Sequence, residues 1–258
     1  MILNNLSILP FYKVTDENPS PRECEKWWVY GNVFPLITPG VPPIQIRGVM
    51  TRCALYPYYP NGEGGPSFAA PAVKTIEMQQ YSWQSERILS GMGRYYIQTT
   101  IDGITAVSDV FTIVRDTTPY LKLEWWDDND FVMDAGAIVY TNAGVNVYKN
   151  VLYLATDLAK PDYNFTEEGE NRDGYFFPIK QISSKRYRFT IFAPEYLLDV
   201  MRLIRMSDHI QITYRGQVFT ADTFLMTPTW EANGDLASVV CEFETDTVAK
   251  KIGRLINV

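Results

Sequence analysis

The stretch GRYYIQTTIDGITAVSDVFTIV, residues 93–114, decides the fold class of this chain. Its odd-numbered positions from Tyr95 to Ile101 alternate with more polar neighbours, which predicts a strand with one buried face. Asp102-Gly103 then predicts a two-residue hairpin turn, because glycine adopts a positive φ angle without strain. The remaining residues read as the return strand of an antiparallel hairpin.

The residues before this hairpin predict further β structure. A Gly-x-Tyr-Tyr strand followed by a last strand is how many immunoglobulin-like sandwiches end, and no long helical period precedes residue 116. The stretches ITPGVPPIQIRGV and YPYYPNGEGGPSFAAP are rich in proline and glycine, which favours loops or edge segments. We therefore expect residues 1–116 to form an immunoglobulin-like antiparallel β-sandwich.

Residues 117–258 carry a second pattern. LKLEWW, RYRFTIFA and LASVVCEF alternate as strands, whereas APEYLLDVMRLIRMSD has the period of an amphipathic helix near residues 194–206. The apolar stripe of that helix consists of Leu197, Val200, Met201 and Ile204. This part predicts an α+β domain, an antiparallel sheet with one helix, and makes the whole chain mainly β.

Composition excludes some classes of function. The chain has 258 residues and a net charge of −7, whereas a dedicated nucleic-acid-binding protein needs a basic surface. The most basic stretch, with Lys185, Arg186 and Arg188, reads as the solvated face of a strand. No window approaches the roughly 20 apolar residues of a membrane-spanning helix, so we expect neither nucleic acid nor membrane as a partner.

The sequence offers little catalytic chemistry. His209 is the single histidine, and no Gly-x-Ser-x-Gly elbow accompanies it. Cys24, Cys53 and Cys241 are odd in number and widely spaced, which predicts free thiols rather than a disulfide framework or a zinc site. We predict no catalytic, cofactor-binding or metal residues, no cofactor, and a protein that is not an enzyme.

Two acidic clusters are candidates for calcium binding. They are Asp127, Asp128 and Asp130, and Glu167, Glu168, Glu170 and Asp173. The second cluster lies in PDYNFTEEGENRDGYFFP, which we predict to be an acidic loop. When Asp173-Gly174 is aligned with the central Asp-Gly of an EF-hand, Gly169 stands at the first ligand position and Lys180 at the last. The EF-hand reading fails, while a different calcium loop stays open beside the ordinary solvated loop.

Several segments resemble uncharacterised proteins of tailed phages and of prophages in gut bacteria. They are KWWVYGNVFPL, GRYYIQTTIDGITAVSDVFTI, LEWWD, EEGENRDGYFFPIKQISSKRYRF, APEYLLDVMRLIRMSD and GDLASVVCEFETDTVAKKIG. The resemblance implies a structural virion protein of the tail, baseplate or head–tail connector, assembled in the cytoplasm of the host bacterium. It implies protein–protein contacts as the mode of action and carries over no catalytic residue.

Two segments are expected to make those contacts, with other copies of the chain or with other virion proteins. The first is the arm 56–68, where Tyr56, Tyr58 and Tyr59 stand among prolines and glycines; the alternative is a loop packed on its own domain. The second is the tail 244–254, whose charges of both signs, among them Glu244 and Lys250, suit a contact between identical copies.

Other functions compete with this interpretation. A glycan-binding or adhesion module would use Trp125 or Trp126 beside Glu124 and Asp127, although neighbouring strand residues face opposite ways and only one tryptophan can line a groove. A hydrolase with an unrecognised pair of carboxylates is a third and weaker alternative.

Overall fold

The structure, a computed structural model, describes only part of the chain. Described are residues 9, 11–14, 36–39, 44–47, 50–57, 68–69, 74–76, 80–83, 93–101, 103–127, 132–135, 138–141, 149–230, 236–245 and 249–252. Over these residues the protein is mainly β, as the sequence predicts, with one α-helix and one short 3-10 turn.

The strands are numbered in chain order. In the first part they are β1 (Phe11–Lys13), β2 (Leu36–Thr38), β3 (Ile44–Arg47), β4 (Met50–Pro57), β5 (Phe68–Ala69), β6 (Lys74–Ile76), β7 (Gln80–Trp83), β8 (Gly93–Ile101), β9 (Ile104–Ser108) and β10 (Phe111–Ile113). In the second part they are β11 (Leu121–Trp126), β12 (Val132–Ala135), β13 (Ile138–Thr141), β14 (Asn150–Leu154), β15 (Asp162–Arg172), β16 (Tyr175–Pro194), β17 (His209–Tyr214), β18 (Gln217–Trp230), β19 (Leu236–Thr245) and β20 (Ala249–Ile252). The helix α1 (Glu195–Met201) lies between β16 and β17 and is followed by the 3-10 turn Ile204–Met206.

The hairpin predicted at residues 93–114 is confirmed, with one refinement. β8 and β9 pair up to Ile101 and Ile104, and Gly103 has a φ of 77°. The return strand is split into β9 and β10, both of which pair with β8. At the split, the Ser108 hydroxyl accepts a hydrogen bond from the Ile97 backbone N–H at 2.9 Å, which replaces a ladder bond at this bulge.

Hydrogen bonds connect strands from both halves of the chain into one sheet. Its path runs β1-β9-β8-β10-β2-β14-β11-β17-β18-β19-β16-β15, with β4, β5 and β20 attached at its sides. The halves meet where β2 pairs with β14 through Ile37 and Tyr153. We expected only antiparallel pairs, but β2 and β10 are parallel, so that expectation is wrong at this position.

In the second half, the predicted alternation is confirmed on β11, β16 and β19. Leu121, Leu123 and Trp125 are buried on β11, and the alternation on β16 and β19 is confirmed by buried Phe189 and Cys241. The strand β18 pairs with β17 up to Thr220 and with β19 from Ala221 onward, so it joins two parts of the sheet.

The predicted helix is shorter than its sequence pattern. It begins after Pro194, which is its N-cap and also the last residue of β16. The stripe Leu197, Val200, Met201 and Ile204 is buried, as predicted. These side chains join one apolar core that runs from Phe11 through Trp125 to Phe243. The chain's two parts therefore share a core as well as a sheet.

Candidate functional site

The most distinctive surface is a long hairpin made by β15 and the facing part of β16, residues 162–186, here called the hairpin arm. β15 pairs with β16 over its whole length, and the turn at Asp173 and Gly174 has φ angles of 51° and 84°. Two successive positive φ angles define the tight hairpin turn that Asp-Gly sequences favour. The prediction of an acidic loop over this segment is wrong, because the stretch is a strand and its turn.

Aromatic side chains are exposed on one face of the hairpin arm. We call inner the face of β16 that carries the buried Phe189. Tyr163 and Phe165 lie opposite Lys185 and Ser183, which places them on this inner face. Both are outside the core, with exposed fractions of 68% and 62%, and the Lys185 Nζ lies 5.8 Å from the Tyr163 ring centre. The apolar character of the inner face thus continues beyond the covered part of the sheet.

The opposite, outer face carries a cross-strand ladder of charges. Arg186 pairs with Glu244 at 2.8 Å, and Arg188 pairs with Glu242 at 2.7 Å and with Asp162 at 3.3 Å. The hydrogen bond to Glu244 raises the pKa of the Arg186 guanidinium above its usual value. These partners agree with the interpretation of Arg186 and Arg188 as the solvated face of a strand. Lys185, predicted on the same face, lies instead on the inner face beside Tyr163.

Sequence reasoning missed the hairpin arm for a physical reason. A strand exposed on both faces needs no apolar alternation, so the acidic residues of β15 hid it. Two signals were present: the Asp173-Gly174 pair and the alternation of Tyr163 and Phe165 with polar residues.

A second cluster lies where β11 and β17 end together. Trp126 stacks on His209 with ring centres 5.1 Å apart, and the Lys149 Nζ lies 3.8 Å from the Trp126 ring centre. Trp125 points the other way and is buried, as alternation requires. His209 therefore has a packing role beside an indole, and Trp126 is the only one of the two tryptophans that faces outward.

Asp127 extends this cluster. Its Oδ1 accepts a hydrogen bond from the Asp208 backbone N–H at 2.9 Å. Burial raises the pKa of the Asp127 carboxyl above its usual value, and the charge of Asp208 adds to this, while the Asp208 N–H acts against it. Asp128 and Asp130 lie outside the described residues. Glu124 of the glycan hypothesis pairs with Lys122 at 2.7 Å.

The residues weighed for metal binding are spread out. Glu167 and Glu168 face opposite sides of β15 and contact Gln181 and Lys180 respectively. Within the described ranges, no group of three or more histidine, cysteine, aspartate or glutamate residues could hold a metal ion. Burial raises the pKa of the Cys241 thiol to about 12, which keeps it in the unreactive thiol form. The Cys24 residue and the side chain of Cys53 lie outside the described part.

The two predicted contact segments are described only in part. Tyr56 lies on β4 and stacks on Tyr96 at 5.3 Å, while the prediction for Tyr58 and Tyr59 falls on residues outside the described ones. In the tail, Glu244 lies in β19, and β20 pairs with residues 180–183 of β16. Asp246 lies outside the described residues. The charges of the tail thus belong in part to the chain's own sheet.

Comparisons with known proteins return no relatives: no family model, no curated protein and no solved structure matches the chain. In the described residues, no helix is long and apolar enough to cross a membrane. The site must therefore be interpreted from its own geometry.

Proposed function

We propose that this chain is a non-enzymatic structural component of a bacteriophage virion, in the tail, the baseplate or the head–tail connector. It acts through protein–protein contacts with other copies and with other virion proteins, and it is assembled in the cytoplasm of the host bacterium. The observation that carries the proposal is the hairpin arm, which exposes Tyr163 and Phe165 to water on a strand. Large exposed aromatic side chains on a fixed element are typical of contact surfaces.

The segment resemblance supports the same class of protein, and the architecture proposed with it has two parts. Residues 1–116 form an immunoglobulin-like sandwich and residues 117–258 an α+β part with α1 on its sheet. The proposal includes no catalytic residue, cofactor, nucleic acid or membrane. The arm 56–68 and the tail 244–254 serve as further contacts between copies.

The decisive experiment measures where the protein is and in what ratio. Phage particles are purified from a lysate of the source bacterium, and peptides of this chain are quantified against the major capsid protein by mass spectrometry. We expect a fixed ratio that survives gradient purification, because closed assemblies hold set numbers of subunits. A protein found only in the soluble fraction, with particles present, contradicts the proposal.

Sedimentation of the purified protein tests the role of the tail. We expect the full chain to associate and the double variant Lys250→Glu/Lys251→Glu to associate less, because opposite charges at a rim fix register. The double variant Lys160→Glu/Arg205→Glu is the matched control, since it changes the same amount of charge at two exposed residues outside the tail. Equal association of all three proteins removes the tail from the proposal.

Glycan binding is the second candidate, and the outward-facing Trp126 with Lys149, Asp127 and His209 is the observation that favours it. A sugar ring stacks on an exposed indole, but this indole already contacts a histidine ring and an ammonium group. A glycan array probed with the protein and with Trp126→Ala separates the two functions. Binding that is lost in the variant places glycan recognition first.

A further inference from the structure

We propose that β15 is an open sheet edge that accepts an extended segment of another protein, one in which basic and apolar residues alternate. This inference rests on the proposed function only in taking protein–protein contact as the mode of action. It adds the surface and the chemistry of the partner: a strand that pairs with the outer edge of the hairpin arm.

The edge is long enough to serve as a template, and from Asp162 to Glu168 its pairing with β16 is regular; the register shifts between Glu168 and Gly169. β15 spans eleven residues and stands at the end of the sheet path, and no described strand pairs with its outer side. Roughly half of the backbone N–H and C=O groups of an edge strand point away from its single neighbour. Such groups bind an added strand through main-chain hydrogen bonds, and side chains then select the partner.

The side chains of this edge select differently on its two faces. On the inner face, Tyr163 and Phe165 are exposed and offer apolar contact. On the outer face, Asp162 and Glu168 are exposed to 61% and 63%. Side chains of an added strand would lie beside both sets, because directly opposite residues share a face. The fitting segment therefore has apolar residues at alternate positions and lysine or arginine between them.

The charge of the arm is divided between its strands. β15 carries the four carboxylates Asp162, Glu167, Glu168 and Glu170 and a single arginine, Arg172. The basic residues Lys180, Lys185 and Arg186 lie on β16, one strand further in. An added strand lies next to the acidic strand, and its cations would share Asp162 and Glu168 with Arg188 and Lys180, which already pair with these carboxylates.

The same charges argue against a second copy of β15 as the occupant. Two copies of β15 related by a two-fold axis would pair antiparallel, with one residue opposite itself at the axis. If that residue is any of residues 165–168, one carboxylate lies opposite another. A register centred on Glu167, for example, sets that side chain opposite itself. Like charges directly opposite destabilise a sheet. Pairing with a second β15 is therefore unfavourable, whereas pairing with a basic segment of another protein is favourable.

The probe for the test is a capped synthetic peptide of about eight residues, a usual strand length, in which valine and lysine alternate. Binding of the fluorescently labelled peptide to the full chain is measured by anisotropy. The first control peptide has the same composition with its lysines and valines in separate blocks, which keeps the charge and destroys the alternation. The second carries N-methyl groups on alternate amides, which removes main-chain donors along one side.

Phe165→Thr is the test variant and Val218→Thr its matched control. Both replace an apolar side chain at a strand position, with exposed fractions of 62% and 58%, and threonine is a good strand residue. We expect the alternating peptide to bind, both control peptides to bind at least about tenfold more weakly, and Phe165→Thr to weaken binding about fivefold, from the usual size of a cross-strand pair. Val218→Thr should change nothing, and matching circular dichroism melts show that both variants fold.

Three results overturn the inference. The first is equal binding of the alternating peptide and of the control peptide with its lysines in one block. The second is that Val218→Thr weakens binding as much as Phe165→Thr, and the third is a dimer of the protein that Phe165→Thr abolishes. The last result would mean that β15 pairs with β15 of a second copy of the chain. A chain that is found in particles and yet fails the peptide test keeps its proposed function and loses this edge. The opposite combination keeps the edge and removes the virion assignment.

Discussion

At the scale of single residues, Asp127, beside Trp126 and His209, makes the stability of the fold depend on pH. Burial raises its pKa above the usual 3.8, so the folded protein holds this proton more tightly than the unfolded chain does. The stability contributed by the group is complete below the unfolded pKa and is lost as the pH rises through the folded pKa.

We therefore expect Asp127→Asn to gain stability relative to the wild type as the pH rises from about 3 to 7. Asparagine keeps an oxygen that can accept the Asp208 N–H. Asp116→Asn is the control with the opposite sign, since hydrogen bonds from Thr118 lower the pKa of the Asp116 carboxyl. The stability that this carboxyl contributes is present above the unfolded pKa and is lost as the pH falls through the folded pKa, so Asp116→Asn should lose stability relative to the wild type as the pH rises. Urea unfolding across this pH range measures both differences, and equal slopes for the two variants would contradict the argument.

His209 is the other residue that the sequence singles out. We expect His209→Ala to leave partner binding and particle incorporation intact and to lower the free energy of unfolding by about 0.5–1.5 kcal/mol, the worth of a lost ring contact. His209→Phe, which keeps a ring against Trp126, should restore most of that loss in urea unfolding. A folded His209→Ala protein without function would reveal a chemical role for the imidazole.

At the scale of elements, alternation predicted the strands that have one buried face. Residues 95, 97 and 99 of β8, Leu121, Leu123 and Trp125 of β11, and the stripe of α1 are buried where the pattern placed them. β15 escaped because neither of its faces is covered. Its sequence carries a turn signal and only a short alternation at Tyr163 and Phe165 among acidic residues. The parallel pairing of β2 with β10 also escaped, because long-range neighbours leave no local pattern.

The turn of the hairpin arm gives an element-scale prediction. Gly174 has a φ of 84° with open space around a hypothetical Cβ, so Gly174→Ala adds backbone strain without a clash, about 1 kcal/mol. We expect faster hydrogen exchange at the amides of β15 and unchanged exchange in β19. Thr166→Val, an exposed change within the same arm that keeps a β-branched side chain, is the control, and slow exchange of β15 in Gly174→Ala would mean that the turn does not hold the hairpin.

At the scale of the whole molecule, the sheet and the core lead to an expectation about cooperativity. The two proposed parts meet at a narrow backbone link between Ile37 and Tyr153, but their buried side chains form one cluster. Folding units follow shared cores more than shared hydrogen bonds. Residues 1–116 and residues 117–258 should therefore unfold together.

Calorimetry of two core variants tests this coupling. Ile97→Ala opens a cavity in the first part and Phe243→Ala one in the second. Because both side chains are almost fully buried, we expect a cost of about 2–5 kcal/mol for Ile97→Ala and about 3–5 kcal/mol for Phe243→Ala. If the core is shared, the wild type melts in one transition and each variant lowers that same transition. Two transitions, one moved only by Ile97→Ala and the other only by Phe243→Ala, would mean that the parts are independent domains joined by one strand pair. The hairpin arm would then belong to a second domain that folds without the sandwich, and its binding to a basic strand should survive in residues 117–258 alone.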